Sequence, residues 1–309
     1  MQKLRLFKSY IKNKKFGKFV IFDIRQLADY TTIKAGGPAK CFIETPNLDI
    51  LKDIFEFICK NNIEFNIIGN GSNLLISDKG FDGAVISIKN IPKRLYSEGN
   101  YLFVSGNIEV PHILKMCQEY QLSGLEFLNG IPGMIGGMVE MNAGAFDCSI
   151  GNVIKEIVII NENGELEKIS SSFIQFGYRK INIKKKNYII VEAIFKMKKE
   201  SQKRIKDLCD KYYNNRSFRF LLDYCTFGSV FKNGEDYYAG ELLDRCGLKG
   251  YRIGNAQIFE KHANFIINLG NATSYDIYKL IKKMKKEVLE KFNIVLEPEV
   301  RFWGDFSDA

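Results

Sequence analysis

Two side-chain-poor stretches constrain this chain more than any other feature: Gly69-Asn70-Gly71-Ser72-Asn73, and the run from Gly130-Ile131-Pro132-Gly133 through Gly136-Gly137 to Asn142-Ala143-Gly144-Ala145. Glycine adopts φ > 0 without a steric penalty, so such backbone can curl and aim successive N–H groups at a phosphate. One Asn-Gly pair is also the commonest hairpin turn, but two loops, with apolar strand-like runs around the first, point to a dinucleotide held between two lobes. The first loop lies between Phe65-Asn66-Ile67-Ile68 and Leu74-Leu75-Ile76, a strand–loop–strand pattern. Walker and Rossmann loops require strand–loop–helix and glycine spacings absent here. The expected nucleotide site is of another kind.

At 309 residues the chain has room for two or three domains with a substantial core. Its first twenty residues are studded with lysine and do not read as a signal peptide, and no apolar run is long enough to span a membrane. Cys41, Cys59, Cys117, Cys148, Cys209, Cys225 and Cys246 lack CxxC spacing, and only His112 and His262 accompany them, so no metal site is expected. Buried thiols in a reducing cytoplasm are the expectation. The net charge of +9 raises the question of nucleic acid. The lysines are dispersed, however, and often flank an apolar helical stripe, as Lys282, Lys283, Lys285 and Lys286 do. A solvated face accounts for them, and no nucleic-acid partner is expected.

Apolar spacing predicts a helix capped by Thr45 with Pro46 in its first turn, and a second from near Pro111 with Ile113, Met116, Cys117 and Tyr120 on one face. Others are expected from Ser201, over 239–244, and over 273–292, where Thr273 and Asp276 resemble a capping box. Strands are expected at 39–43, 84–88, 101–104, 153–161, 189–197, 252–259 and 265–268, with a hairpin turn at 161–165. Strands and helices without regular βαβ alternation argue for an α+β protein, with a boundary near the charged run at 198–201. The terminal segment alternates: Val295, Glu297, Glu299 and Arg301 on one face, Leu296, Pro298, Val300 and Phe302 on the other. That pattern does not choose between the two glutamates, and a solvated edge strand would look the same.

A set of motifs then carries a resemblance. They are Thr32-Ile33-Lys34-Ala35-Gly36-Gly37-Pro38-Ala39, the 69–73 loop, Gly124-Leu125-Glu126-Phe127 leading into Gly130-Ile131-Pro132-Gly133, and Gly177-Tyr178-Arg179. Further on come Gly228-Ser229-Val230-Phe231-Lys232-Asn233, Gly247-Leu248-Lys249-Gly250, Lys261-His262-Ala263-Asn264-Phe265 and Leu296-Glu297-Pro298-Glu299-Val300. In this order and spacing they resemble the UDP-N-acetylenolpyruvoylglucosamine reductase family, flavoenzymes of peptidoglycan precursor synthesis. The resemblance implies an α+β fold: a two-lobed FAD-binding region of the vanillyl-alcohol-oxidase-like (PCMH) kind, then a smaller α/β substrate-binding domain. The implied division is 1–92, 93–199 and 200–309, with the C-terminal strand returning to the active site.

It also implies noncovalent FAD on Gly69, Asn70, Gly71, Ser72, Asn73 and on Gly130, Ile131, Pro132, Gly133. NADPH is the implied hydride donor, UDP-N-acetylenolpyruvoylglucosamine the substrate, and a cytoplasmic monomer the expected state. By the same resemblance Ser229 donates a proton, Arg179 meets the substrate carboxylate as charge builds, Glu299 polarises the intermediate alongside it, and Tyr178, Asn233 and Lys249 contact substrate. Each has a plainer alternative, as a turn serine, loop arginine or surface residue. His262 is expected to support binding or packing. Ile189 follows Arg179 without the tyrosine-bearing insertion of one subtype, so the shorter subtype is expected. Three departures stand out: Ile181 where the family carries serine, Phe146-Asp147 where it carries Tyr-Gly, and Arg219-Phe220-Leu221 where it often carries Lys-Gln-Pro. A rival is another FAD-dependent oxidase of the same superfamily, some of which hold flavin through a histidine that this chain lacks near its loop. A nucleic-acid-binding module is the remoter rival, and would be colourless.

Overall fold

The computed structural model describes residues 2–18, 20–216 and 224–307. Two compact units divide the chain: Met1–Asp23, Cys41–Gly69 and Gly83–Arg216 form one, and Ile24–Lys40, Asn70–Asp82 and Ser217–Ala309 the other. The chain changes unit just after Gly69, inside the first glycine loop. In chain order the helices are α1 (Gln2–Asn13), α2 (Leu48–Lys60), α3 (Val110–Glu119), α4 (Ile135–Glu140), α5 (Gln202–Asn214), α6 (Ala239–Arg245) and α7 (Ser274–Phe292).

In the first unit, α2 buries Ile50, Leu51, Ile54, Phe55 and Ile58, one face of a 3.6-residue period. Its cap is Asn47, whose side chain accepts from the Ile50 N–H at 3.0 Å. Thr45, the expected cap, lies one short turn too early and accepts from the Asn47 N–H at 3.2 Å instead. Pro111 does start α3, but Tyr120 terminates that helix and is exposed rather than turned to its inner face. Helix α1 is not visible in the apolar pattern, because only a narrow stripe faces inward: Phe7 and Ile11 are buried, and Tyr10 stacks on Phe57 at 3.9 Å. Residues 1–18 hold seven Lys/Arg and no Asp/Glu, and so carry most of the net charge of +9.

A five-stranded antiparallel sheet forms the centre of this unit, in the order Leu166–Ser170, Ile154–Asn161, Tyr188–Lys196, Tyr101–Ser105, Leu95–Glu98. The expected hairpin turn is present: Asn161 Oδ1 accepts from the N–H groups of Asn163 and Glu165, both at 3.0 Å. Leu102, Val104, Ile157, Ile159 and Phe195 pack with side chains of α3, α4 and α5. Phe65–Ile68 pairs in parallel with Phe81–Ser87, with Phe65 opposite Ala84.

In the second unit, α7 starts at the expected capping box, with the Asp276 N–H donating to Thr273 Oγ1 at 3.0 Å. The Asp78 carboxylate adds two acceptors, for the N–H of Ser274 at 2.9 Å and of Tyr275 at 3.0 Å, a favourable charge at a helix N-terminus. The expected strand at 252–259 is a hairpin: Gly254, at φ +54, and Asn255 turn the chain between Arg252–Ile253 and Ala256–Ile258. Ile266–Asn268 adds a third strand. The expected terminal strand is also shorter, since only Arg301–Trp303 is a strand, parallel to Leu74–Ile76. Pro298, without an N–H, limits regular pairing ahead of it. The alternation survives in burial: Leu296 and Val300 are buried, Glu297 is exposed.

Candidate active site

The first glycine loop is strand–loop–strand as expected, between Phe65–Ile68 and Leu74–Ile76. Gly71 is buried at φ +60, and a Cβ on it would lie 2.2 Å from the Tyr30 carbonyl oxygen. Its own carbonyl accepts from the Thr32 N–H at 3.3 Å, and the Thr32 hydroxyl donates to the Thr226 carbonyl at 2.6 Å. Asn73 connects the loop to the chain end: its Nδ2 donates to the Glu299 carbonyl at 3.0 Å, and its carbonyl accepts from the Arg301 N–H at 3.1 Å. Among the described residues the N–H groups of Gly71 and Asn73 donate to no backbone carbonyl outside the loop's own strands. A turn with left-handed backbone at Gly71 and such donors fits a pyrophosphate, the anionic centre of a dinucleotide.

Ser229 follows Gly228, which sits at φ +84 and whose N–H donates to Thr226 Oγ1 at 3.3 Å. The next two residues, Val230 and Phe231, are fully buried and anchor the turn. The Val230 N–H donates to the Asn264 carbonyl at 2.9 Å, and the Val230 carbonyl accepts from the Glu299 N–H at 2.8 Å. Ser229 and Glu299 therefore stand on adjacent backbone segments. The two glutamates that the alternation left equivalent are physically different. Glu297 is 70% exposed in a 2.5 Å ion pair with Lys232, whereas Glu299 is half-buried beside the loop.

Asn233 is exposed, and its Oδ1 accepts from the Ala239 N–H at 3.0 Å, which leaves its NH₂ as the group presented to a ligand. Lys249 is exposed and pairs with Asp244 at 2.6 Å. His262 is half-buried; its Nδ1 accepts from the Asn264 N–H at 3.2 Å, and its ring meets Phe265 edge-on. Burial, and then the positive charge of Lys249, hold its pKa below the usual histidine value.

The other expected residues belong to the first unit. Gly130 and Gly133 sit at φ +82 and +140. Arg216, which the sequence did not single out, supports this loop: its Nε donates to the Asn129 carbonyl at 2.5 Å and its Nη2 to the Phe127 carbonyl. Burial, and then the charge of Arg179, pull Arg216 down to about 10, so it is still a cation at neutral pH. Arg179 occupies the second position of a two-residue hairpin at φ +58, a conformation uncommon outside glycine, and its guanidinium lies 4.9 Å from the ring of Tyr178, which is exposed. Gly136 and Gly137 lie in α4, and the Gly136 N–H donates to the Gly106 carbonyl at 2.8 Å.

Two of the three departures have visible consequences. Phe146 and Asp147 keep the left-handed turn at φ +55 and +60 between Gly144–Ala145 and Cys148–Ser149; the Phe146 ring lies 5.1 Å from Tyr212, with the Arg216 guanidinium 5.4 Å above it. Ile181 packs against the core of the sheet. The segment Arg219-Phe220-Leu221 lies outside the described residues.

A family model described as the C-terminal domain of UDP-N-acetylenolpyruvoylglucosamine reductase matches residues 221–303, and one described as an FAD binding domain matches residues 39–170. The reductase of Clostridium novyi is 38% identical over 282 residues, covering 91% of this chain and 92% of the relative. That of Caldicellulosiruptor saccharolyticus is 38% identical over 285 residues, covering 92% of both. The crystal structure of UDP-N-acetylenolpyruvylglucosamine reductase from Thermus caldophilus superposes with a TM-score of 0.79 at 30% identity, over 93% of this chain and all of that one.

Proposed function

The chain belongs to the UDP-N-acetylenolpyruvoylglucosamine reductase family, and we propose that it uses NADPH and noncovalently bound FAD to reduce the enolpyruvyl ether of UDP-N-acetylenolpyruvoylglucosamine to UDP-N-acetylmuramate. The observation that carries this is the Asn73–Glu299 hydrogen bond, in which the Asn73 side chain on the glycine loop donates to the main-chain carbonyl of Glu299 at 3.0 Å. Gly69 to Asn73 and Gly130 to Gly133 would hold the cofactor's pyrophosphate and neighbouring groups. When bound, FAD supplies the hydride that it receives from NADPH.

Hydride addition to the terminal carbon of the enolpyruvyl group leaves negative charge on the adjacent carbon, delocalised into the carboxylate. Arg179 offers a planar donor fork for that carboxylate, pre-set by its hairpin, and Glu299 polarises the same intermediate. The Ser229 hydroxyl gives the proton that completes the reduction at the adjacent carbon. Tyr178, the NH₂ of Asn233 and the Lys249 ammonium bind the UDP-sugar, the last as a point charge for a phosphate. We keep 1–92, 93–199 and 200–309 as the proposed functional division, which differs from the two compact units of the structure. Cys41, Cys117 and Cys209 are buried as expected, while Cys59, Cys148, Cys225 and Cys246 are only half-buried; we place the protein in the cytoplasm as a monomer.

The test is a visible absorption spectrum of the purified protein. A yellow protein that bleaches with NADPH and regains colour with UDP-N-acetylenolpyruvoylglucosamine supports the reading. A colourless protein, or a bleached one that only oxygen reoxidises, counts against it.

A further inference from the structure

The segment that carries Ser229 is not a strand of any sheet. Its only β-type pairings among the described residues are single bridges, Ser229 to Phe265 and Phe231 to Pro298. A loop this thinly paired would not by itself hold a hydroxyl to the sub-ångström tolerance that proton transfer demands. One side chain makes up the difference. Asn264, 4% exposed, spends both ends of its amide on a single residue: its Oδ1 accepts from the Phe231 N–H at 3.0 Å, and its Nδ2 donates to the Phe231 carbonyl at 2.8 Å. Its own carbonyl accepts from the Val230 N–H at 2.9 Å. The amide thus does for Phe231 what a neighbouring strand would do.

From the other side, the Val230 carbonyl accepts from the Glu299 N–H at 2.8 Å, and the Lys232 N–H donates to the Glu297 carbonyl at 2.9 Å. The Ser229 segment is therefore clamped between Asn264 and the segment bearing Glu299. We infer that Asn264 is a positioning residue for the reduction, fixing Ser229 relative to Glu299 through the backbone of Phe231. Asn264 touches neither substrate nor cofactor in this scheme. The inference rests on the proposed function and adds a residue to it.

Two variants test it. Asn264→Ala leaves two buried backbone groups without partners, a cost large enough to threaten folding. Asn264→Asp is isosteric and separates geometry from folding. As a carboxylate it still accepts from the Phe231 N–H but has no donor for the Phe231 carbonyl; protonated, it regains one. Flavin bleaching by NADPH should stay within about twofold of wild type in Asn264→Asp, while reoxidation by the enolpyruvyl substrate slows by about 100-fold at neutral pH, the lower end of what a misplaced proton donor costs. Lowering the pH should then recover reoxidation in Asn264→Asp, relative to wild type at the same pH. Amide hydrogen exchange, read by mass spectrometry on the folded variant, should quicken in the peptide spanning 229–232 and not in α3. Wild-type reoxidation and exchange in Asn264→Asp would overturn the inference while leaving the functional reading intact. Equal slowing of both half-reactions would overturn it too, as a general loss of structure. Wild-type protein that the substrate fails to reoxidise would sink the functional reading first.

Discussion

The side-chain amide of Asn73 donates to the backbone carbonyl of Glu299 at 3.0 Å across 226 residues of sequence. The parallel pairing of Leu74–Ile76 with Arg301–Trp303 extends this contact, with Arg301 opposite Leu74. The glycine loop and the backbone segment that carries Glu299 are thereby joined.

Gly71 is the glycine on which the loop depends. Its φ of +60 costs a side-chain-bearing residue about 1–2 kcal/mol, and a Cβ would lie 2.2 Å from the Tyr30 oxygen. Gly71→Val should therefore yield largely apoprotein, seen as a low ratio of visible to ultraviolet absorbance. Gly137, in α4 and exposed, has nothing within 4 Å of its would-be Cβ, and Gly137→Ala should stabilise by about 0.5–1 kcal/mol. A fully flavinated Gly71→Val would remove this loop from the cofactor site.

Much of this fold was legible because the packing is periodic. Helices α2, α3, α5 and α7 and the long strands of the sheet each bury a regular stripe, and α2, α5 and α7 are capped by Asn47, Ser201 and Thr273, residue types that favour that place. Helix α1 escaped because a lysine-rich surface leaves only Phe7, Ile11 and a few flanking residues to mark its inner face. The 252–259 segment misled because its apolar residues continue across a two-residue turn. Individual site residues were visible through motifs, whereas their connections were not. Thr32 to Thr226, Asn73 to Glu299 and Asn264 to Phe231 are set by tertiary approach, which local pattern does not encode. Arg216, whose side chain lies behind Gly130, belongs to none of the motifs.

Glu297 and Glu299 should separate cleanly on substitution. Glu299→Gln, like Arg179→Ala, should lower turnover by orders of magnitude while KM changes less, the mark of an interaction made in the transition state. Glu297 is exposed and paired with Lys232 at 2.5 Å, an interaction worth about 0–1 kcal/mol, so Glu297→Gln should remain active and nearly as stable. Steady-state kinetics on the three variants decide the matter. An essential Glu297 beside a dispensable Glu299 would reverse the assignment.

His262 should make stability fall on mild acidification. Burial and Lys249 depress its folded-state pKa, so the unfolded chain takes up the proton first, near about pH 6.5. The histidine's contribution is intact above that value and is lost as pH falls toward the depressed folded value. Lys249→Met should raise the His262 pKa, because it removes a cation and unmasks Asp244, the acidic group that Lys249 pairs with. With only two histidines in the chain, the imidazole C2 proton signals can be followed by NMR titration. A His262 pKa that stays put in Lys249→Met would show that the lysine charge does not reach the ring.

Ser229 should matter for one half of the cycle only. Its backbone is held by the Asn264 and Glu299 contacts on Val230 and Phe231, so Ser229→Ala should fold normally and remove little beyond the hydroxyl. Flavin bleaching by NADPH needs no proton from this residue and should proceed at the wild-type rate. Reoxidation by UDP-N-acetylenolpyruvoylglucosamine should be slowed by about 10²–10⁴-fold, because the charged carbon would have no donor in reach. Ser229→Cys should fall between the two, since a thiol also donates but its larger sulfur displaces the proton from the backbone-defined position. Rapid-mixing absorbance resolves both steps in one sample. Reoxidation of Ser229→Ala at the wild-type rate would reduce Ser229 to a turn residue, and the backbone clamp around it would then have to serve some group other than this hydroxyl.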